Sequence, residues 1–487
     1  MDLFKRVISL VLVVIMLLSA VGCGGTGGDG ATTTAGTAAA AAEKAETTEL
    51  YYTADIPAGT DYKGYEFRIL VNEVARFVWG DVDFIAPEQN GEVINDAVYQ
   101  RNRETEELLN VTLKAIESKN VQEDTNKAVL AGDDAYDLSM VHVHGAAALA
   151  GGGLIVELHQ LPTLDFDSPW WDGNSISDLS INKKVFMMTG DIETMYRKSI
   201  GVIMFNKQIH ADHQLDDPYK IMSDRKWTID TMINMGVNVS ADINGDGIYN
   251  ESDKYGLIYF SDMMALALIG CGVQFATKDA DDIPQLSFYG EKTNLVIEKL
   301  AELLYVPELS WSWSKAGKTE EAAFKMYQND QSLFYYGELH AVATMRGMET
   351  DFGIMPMPLF NETQESYHHC INPHVAPVVA VPMTVSDFER EGIVLEVMGA
   401  SSKNLLTPAY YEITLKGKVS RDEESSATLD IVLSTIRYDI GYLFNWGLAA
   451  LPLGMANSYS TDLASKYESV EASVLAKMQE TIEAFTD

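Results

Sequence analysis

The chain has 487 residues, of which 47% are hydrophobic, so it is long enough for two or three domains with sizeable cores. Its 71 acidic residues outnumber its 35 basic residues, and the formal net charge of -36 disfavours binding to nucleic acid or to anionic lipid. Three cysteines are too few for a scaffold built on disulfides.

Residues 1–22 have the pattern of a secretory signal peptide. Lys5 and Arg6 precede an apolar run from Val7 to Leu18, and small residues then lead to Cys23. The run is shorter than the ~20 apolar residues that a membrane span needs. With a cysteine at the cleavage position, the segment resembles a bacterial lipoprotein signal, in which that cysteine becomes the lipidated first residue. The alternatives are an ordinary secreted protein and an uncleaved anchor.

Residues 23–61 are predicted to form a flexible tether. The stretch from Gly24 to Thr48 consists almost entirely of Gly, Ala and Thr and lacks aromatic residues, so it cannot bury enough surface to offset its ordering entropy. The folded body is expected to begin at residue 62. It is expected to work outside the cytoplasm and to be attached to the cell membrane only through the lipid on Cys23.

An alternation of predicted strands and helices opens the body. Strands are predicted over residues 65–71, 111–115 and 137–141, and helices over residues 96–109 and 125–130. The order strand, helix, strand, helix, strand is typical of βαβ units on a parallel sheet. The first part of the body is therefore predicted to be of α/β type.

A second α/β set is predicted further along the chain. Strands are predicted over residues 184–188, 199–205, 332–336, 351–355 and 376–381, a helix over residues 229–235, and mainly helices after Val385. We expect two α/β lobes, with lobe 1 formed by residues 62–190 and 330–400 and lobe 2 by residues 191–329 and 401–487. Two such lobes face to face form a ligand cleft that closes by a hinge motion.

Residues 242–253 match the calcium-loop pattern D-x-[DN]-x-[DN]-G. Oxygen-bearing side chains occupy the positions that calcium loops use, and a glycine stands where the loop turns sharply. The predicted ligands are Asp242, Asn244, Asp246, Ile248 through its carbonyl, Asn250 and Asp253. Asp253 stands where a glutamate usually binds through two oxygens. We expect a structural calcium ion here; the alternative is a polar surface turn without an ion.

Several short segments follow one another in a characteristic order. They are SPWWD at 168–172, FNK at 205–207, KWTID at 226–230, YGL at 255–257 and DFGIMPMP at 351–358. Together with the signal region, they resemble the extracellular solute-binding proteins of ABC importers, family 1, over nearly all of the chain after residue 62. The resemblance implies a two-lobed, hinged, periplasmic-binding-protein-like fold with a ligand cleft between the lobes. It also implies no catalysis, a sugar or oligosaccharide as ligand, and delivery of that ligand to a membrane permease. A monomer is expected.

In that family, ligand contacts lie on loops after strands and at the crossings between lobes. Sugars need aromatic platforms for their C–H faces and polar side chains for their hydroxyls. The predicted ligand-binding residues are Glu73, Arg76, Trp79, His142, His144, Trp170, Trp171, Asp191, Glu193, Tyr336, Glu338 and Trp446. The alternative for each tryptophan is a place in the core or at its rim.

Other tryptophan, histidine and cysteine residues are weaker candidates for a functional role. Trp311 and Trp313 share one face if their segment is extended, either as a platform or as a surface patch. Zinc at His142 and His144 is disfavoured because neither a cysteine nor a third histidine lies nearby in sequence. Cys271 and Cys370 are either paired or both buried thiols.

Two other functions stay open at this point. An extracellular glycosidase would need two carboxylates at a fixed separation across a cleft, and the chain has many acidic residues to supply them. However, the sequence contains neither a G-x-S-x-G nor an H-E-x-x-H signature. The other alternative is a peptide- or metal-binding importer component.

Overall fold

The computed structural model describes residues 51–73, 83–411, 415, 422–444 and 446–486. The predicted signal peptide, Cys23 and most of the predicted tether lie outside these residues, as do Arg76 and Trp79. The chain from Tyr51 onward forms its own compact unit. No helix in the described ranges is both long and apolar enough to cross a bilayer.

Strands and helices alternate through most of the described chain. The strands are β1 (Tyr65–Asn72), β2 (Val111–Ser118), β3 (Leu138–His142), β4 (Gly201–Asn206), β5 (Tyr255–Tyr259), β6 (Ala276–Lys278), β7 (Pro284–Leu286), β8 (Ser310–Ser312), β9 (Ser332–Glu338), β10 (Phe352–Met355) and β11 (Pro377–Ala380).

The helices surround these strands and dominate the last part of the chain. They are α1 (Val93–Leu109), α2 (Val121–Leu130), α3 (Val143–Gly151), α4 (Gly173–Leu179), α5 (Met195–Lys198), α6 (Lys207–Asp212), α7 (Pro218–Ser223), α8 (Ile229–Val237), α9 (Met263–Gly270), α10 (Glu291–Leu304), α11 (Glu320–Gln328), α12 (Leu339–Thr344), α13 (Phe388–Asn404), α14 (Leu406–Pro408), α15 (Glu423–Ser434), α16 (Ile440–Leu443), α17 (Ala450–Ser458) and α18 (Leu463–Thr486).

Lobe 1 is built on a four-stranded sheet with the order β11-β3-β1-β2. Strand β1 is parallel to β2 and β3, whereas β11 is antiparallel to β3. Alternation along β1 explains its central place, because Phe67, Ile69 and Val71 join one buried cluster while Leu70 joins another on the opposite face. The predicted βαβ arrangement is confirmed for β1, β2 and β3.

Lobe 2 is built on a five-stranded sheet with the order β10-β4-β9-β5-β8. Strands β5, β8 and β9 are parallel, and β4 is antiparallel to both β9 and β10. Since β9 and β10 pair within this sheet, these two strands belong to lobe 2, whereas the prediction placed residues 330–400 in lobe 1. An apolar run indicates a strand but does not identify the strand with which it pairs.

Two further predictions need correction. Residues 184–188 form no continuous strand, since Met188 makes an isolated bridge with Val379, whose N–H donates to the Met188 carbonyl at 2.9 Å. The tether was also predicted too long. Asn404 exchanges hydrogen bonds of 2.9 and 2.7 Å with the backbone of Tyr52, and Tyr62 N–H donates to the carbonyl of Leu109. Residues 51–61 therefore lie on lobe 1.

Capping side chains set the start of several helices. Thr228 Oγ1 accepts a hydrogen bond from Thr231 N–H at the start of α8, and Asp422 caps α15 in the same way. The two cysteines of the folded body do not form a disulfide. Cys271 and Cys370 are free thiols, and both are buried.

Candidate functional site

The carboxyl ends of parallel strands define the candidate site. In lobe 2, β5, β8 and β9 are parallel, so the residues that follow them lie along one edge of the sheet. In lobe 1, β1, β2 and β3 also end along a common edge. We call these two rows of residues the lobe 2 edge and the lobe 1 edge.

Hydrogen bonds and ring contacts connect the two edges. Asn372 Nδ2 donates to Glu338 Oε1 at 2.7 Å, which ties the segment between β10 and β11 to the lobe 2 edge. Two residues later, the His374 ring meets the ring of His144 edge-on, with centroids 4.6 Å apart. His144 Nε2 in turn lies 3.3 Å from the carbonyl oxygen of Tyr442. These five residues therefore place the two edges against each other.

Half-buried acidic residues form the lobe 2 edge. Burial raises the pKa of Glu338 to about 8, that of Glu320 to about 7 and that of Asp262 to about 6. His340 Nε2 lies 3.7 Å from both Glu320 Oε1 and Glu338 Oε2, and burial lowers the pKa of His340 to about 3. At neutral pH the Glu338 carboxyl is therefore mainly protonated, so it can donate as well as accept a hydrogen bond.

Aromatic and hydroxyl groups complete the lobe 2 edge. Phe260 and Trp313 stack with ring centroids 4.6 Å apart and an interplanar angle of 17°. Ser261, next to Phe260, shares hydrogen bonds of 2.8 and 2.9 Å with the Ser314 hydroxyl and with Asn457 Oδ1. The edge thus offers a flat apolar face beside neutral polar groups.

A cavity of 240 Å³ lies at the lobe 1 edge. Its polar lining includes Asn72, Asn120, His142, His144 and His374. Burial, together with the neighbouring His374, lowers the pKa of His144 to about 4, so its imidazole is neutral at physiological pH. Within the described residues, no group of three or more His, Cys, Asp or Glu side chains is arranged to hold a metal ion.

The tryptophan pair predicted as a ligand platform lies in the lobe 1 core. Trp170 and Trp171 are 5% and 6% exposed, and Trp171 Nε1 donates to Glu396 Oε1 at 2.8 Å. Trp170 packs against Gly399, where a side chain would collide with the indole, and Trp171 packs in the same way against Gly190. The prediction for this pair was wrong because its turn directs both rings inward.

Two other predicted aromatic residues are also buried. Trp446 is 2% exposed and donates from Nε1 to Thr481 Oγ1 on α18 at 2.9 Å. Tyr336 is 3% exposed and packs against Gly201 on the neighbouring strand β4. Both rings pack inside the protein, the Tyr336 hydroxyl has no hydrogen-bond partner among the described residues, and contact of either residue with a ligand stays a prediction.

The carboxylates predicted at the first crossing between lobes have partners within the protein. Asp191 accepts hydrogen bonds from Arg197 at 2.6 Å and from the Thr407 hydroxyl at 2.7 Å. Glu193 accepts from the Thr189 hydroxyl at 2.9 Å and from the backbone N–H of Tyr196 at 3.1 Å. Both side chains are buried. Their hydrogen bonds stabilise the segment that crosses between the lobes and are not directed to a ligand.

Four of the residues predicted to bind the ligand do lie at the two edges, namely Glu73, His142, His144 and Glu338. Their contact with a ligand stays a prediction. The sequence reasoning missed Asp262, Glu320, His340 and Asn372 and gave Trp313 too little weight. The signal it overlooked was the apolar run YGLIY at 255–259, which is strand β5 and leads directly to Asp262.

Comparison with solved structures shows the fold. The ABC substrate-binding protein Lmo0181 from Listeria monocytogenes, in complex with cycloalternan, has a TM-score of 0.54 at 11% identity over 87% of this chain and 99% of that one. UgpB from Mycobacterium tuberculosis, in complex with glycerophosphocholine, has a TM-score of 0.55 at 13% identity over 86% and 98%. A cyclo/maltodextrin-binding protein complexed with maltotetraose has a TM-score of 0.55 at 10% identity over 87% and 97%.

The sequence matches no protein-family model and no curated protein. Structural likeness at this low identity establishes the fold, which is the two-lobed fold of ABC substrate-binding proteins. The resemblance inferred from sequence is thereby confirmed at the level of fold. The three solved structures named above are binding proteins rather than enzymes.

Glu338→Gln tests the protonated state of this buried carboxyl. The folded-state pKa of about 8 lies above the ordinary value of 4.5, so the carboxyl contributes stability that is complete below pH 4.5 and is lost as pH rises through 8. We expect the variant to lose less stability than the wild type between about pH 5 and pH 8, by up to about 1.4 kcal/mol per pH unit. Urea denaturation across that range measures the slopes.

Glu298→Gln on the exposed face of α10 is the matched control and should keep the wild-type dependence on pH. Equal slopes for Glu338→Gln and the wild type would contradict the raised pKa.

Proposed function

We propose that this protein is the solute-binding subunit of an ABC importer and captures a sugar or oligosaccharide between its two lobes. The observation that carries the proposal is the meeting of the two edges through Glu338, Asn372, His374, His144 and Tyr442. Ligands of open α/β sheets bind beyond the carboxyl ends of the strands, and here those ends belong to two separate sheets.

The chemistry of the edges favours a neutral ligand rich in hydroxyls. The stacked rings of Phe260 and Trp313 provide a flat surface for the C–H face of a sugar ring. A protonated Glu338 and a neutral His144 both donate and accept hydrogen bonds, as hydroxyl groups require. Cycloalternan and maltotetraose, the ligands of two structural neighbours, are oligosaccharides, which supports this choice of ligand class.

Closure of the lobes on the ligand follows from where these groups are attached. Asn372 and His374 belong to the segment that links β10 of lobe 2 to β11 of lobe 1, and they contact both edges. A solute that hydrogen-bonds to groups on both edges lowers the energy of the closed arrangement relative to the open one. Binding and hinge closure are therefore one event in this proposal.

A titration panel of oligosaccharides, monosaccharides and glycerophosphocholine tests the proposal, with isothermal calorimetry on the purified protein as readout. We expect saturable binding of at least one sugar, and Trp313→Ala should weaken it about tenfold or more, since an aromatic contact contributes about 1 kcal/mol beyond its buried area. Product analysis of the same mixtures should find the sugar unchanged.

Tyr289→Ala is the matched control, because Tyr289 stacks on Tyr467 of α18 with ring centroids 4.9 Å apart and lies outside the two edges. Sugar affinity that falls equally in both variants, or the absence of binding to every sugar, would overturn the proposal. Hydrolysis of the sugar would favour the glycosidase alternative.

We further propose that lipid on Cys23 attaches the protein to the outer face of the cell membrane, where it delivers its solute to the permease. The signal-like residues 1–22 and the stretch rich in Gly, Ala and Thr after Cys23 support this location. Cys23→Ser should move the protein from the membrane pellet to the supernatant after cell fractionation, with its fold unchanged. Wild-type and variant protein found in the same fraction would exclude lipid anchoring.

Calcium in the 242–253 loop is a separate proposal. Asp242 accepts hydrogen bonds from the N–H groups of Gly245 and Gly247, both at 2.8 Å, and Asp253 accepts from Ile243 and Asn250 at 3.0 and 2.8 Å. These bonds tie the carboxylates of Asp242 and Asp253 to the backbone of the loop. A carboxylate oxygen that accepts one N–H retains a lone pair, so the same groups remain able to bind a cation.

Thermal unfolding with calcium and with a chelator tests this site. Calcium at about 100 times its Kd should add about 2.7 kcal/mol to the stability of the wild type. Asp242→Ala should abolish the difference, whereas Asp281→Ala on another exposed turn should keep it. An unchanged melting temperature in wild-type protein would show that the loop is an ion-free turn.

A further inference from the structure

A second cavity, of 540 Å³, lies apart from the residues of the two edges. Its walls include Ser177 and Asp178 of α4 in lobe 1 and the stretch from Ile269 to Lys278 in lobe 2. The segment from Arg437 to Ile440, which leads into α16, forms another wall. An occupant of this cavity would therefore touch both lobes.

Three basic side chains converge on one part of this cavity. Arg437 and His368 line it, and Lys292 Nζ donates to the carbonyl of Gly272, another lining residue, at 2.6 Å. The charges of Arg437 and Lys292 act on His368, whose pKa is lowered by burial and by these two neighbours. Neither Arg437 nor Lys292 forms an ion pair with a carboxylate of the described chain.

His368 gives an independent indication that this cavity is suited to a polar ligand. Its Nδ1 atom is buried and has no hydrogen-bond partner among the described residues. Its other ring nitrogen, Nε2, lies 3.4 Å from the hydroxyl of Ser366. A buried polar atom without a partner costs free energy that a bound group would recover.

The acidic groups near the cavity are already satisfied by the protein. Asp439 accepts hydrogen bonds from the backbone N–H groups of Phe275, Ala276 and Tyr442. Asp178 accepts from the N–H of Tyr438 at 3.1 Å, and burial raises its pKa. The charge of Arg437 acts on Asp178, but among the described residues no carboxylate lies within ion-pair distance of the Arg437 guanidinium or the Lys292 ammonium, in a chain whose net charge is -36.

Lys278 belongs to the walls rather than to the ligand-binding groups. Its ammonium donates to the carbonyl of Ser177 at 2.6 Å and pairs with Asp282 at 2.8 Å. The first of these bonds joins lobe 2 to lobe 1 at the rim of the cavity, and the second holds the ammonium in place within lobe 2. The positive charge that remains available in the cavity therefore comes from Arg437 and Lys292, and His368, whose pKa is lowered, adds a neutral hydrogen-bonding group.

We propose that this cavity is a second binding site, which takes a small organic anion through its phosphate or carboxylate oxygens. Arg437 and Lys292 pair with the anionic group, and His368 Nδ1 donates a hydrogen bond to it. Gln274 and Thr277, which also line the cavity, hydrogen-bond to the remainder of the molecule. This inference concerns a different cavity from the sugar cleft and does not depend on the proposed function.

Calorimetric titration of the full-length protein with inorganic phosphate and, separately, with citrate tests the site. Ionic strength is kept constant with chloride. We expect saturable binding of at least one of the two probes, and Arg437→Gln should weaken it tenfold or more. Binding of phosphate alone would assign phosphate compounds as the ligand class, and binding of citrate alone would assign carboxylates.

Lys466→Gln, which removes an equally exposed cation from α18, is the matched control and should bind the anion as the wild type does. Lys292→Gln is the second test variant and should also bind more weakly. The proposal is overturned if neither probe binds saturably, or if Arg437→Gln and Lys466→Gln behave alike. Sugar titrations of the same variants report on the cleft, so failure of one site is distinguishable from failure of the other.

Discussion

Buried charges at the first crossing between lobes fix the geometry on which the rest of the structure depends. The carboxylate of Asp83 accepts hydrogen bonds from the backbone N–H and the hydroxyl of Thr194, while Arg101, which is fully buried, donates to the carbonyl of Ile192 at 3.0 Å. A buried charge that loses its partner costs several kcal/mol, so this segment has little freedom to move. It enters lobe 2 as β4, the strand that pairs with both β9 and β10. Because β4 pairs with β9, the point at which the chain enters lobe 2 also determines the position of the lobe 2 edge.

Local patterns in the sequence were sufficient to predict the first strands and helices of lobe 1. The alternation in β1 and the amphipathic pattern of α1 depend on near neighbours, and both elements were found close to their observed bounds. Pairing of β9 and β10 in the other sheet depends on contacts far apart in sequence, which periodicity does not encode. The prediction that Trp170 and Trp171 face a ligand was wrong for a related reason. Whether Trp171 faces solvent or Glu396 is decided by helix α13, more than 200 residues away.

At the candidate site, burial changes the ionisation states that the amino-acid composition alone would suggest. A net charge of -36 suggests an acidic cleft suited to cations, yet burial leaves Glu338 mainly protonated and His144 neutral near pH 7. Sequence reasoning identified Glu338 because it follows a strand, but it could not identify the ionisation state of the carboxyl. That state depends on Asp262, Glu320 and Asn372, which come from three other parts of the chain.

The two buried cysteines have a consequence for the extracytoplasmic location proposed above. Cys271 and Cys370 carry thiols whose pKa is raised by burial, so the reactive thiolate form is scarce in the folded protein. The thiolate is the nucleophile that reacts with oxidants and attacks foreign disulfides, so a buried protonated thiol reacts slowly with both. The folded body can tolerate an oxidising exterior without acquiring cross-links, and its thiols become vulnerable to scrambling only when the core itself comes apart.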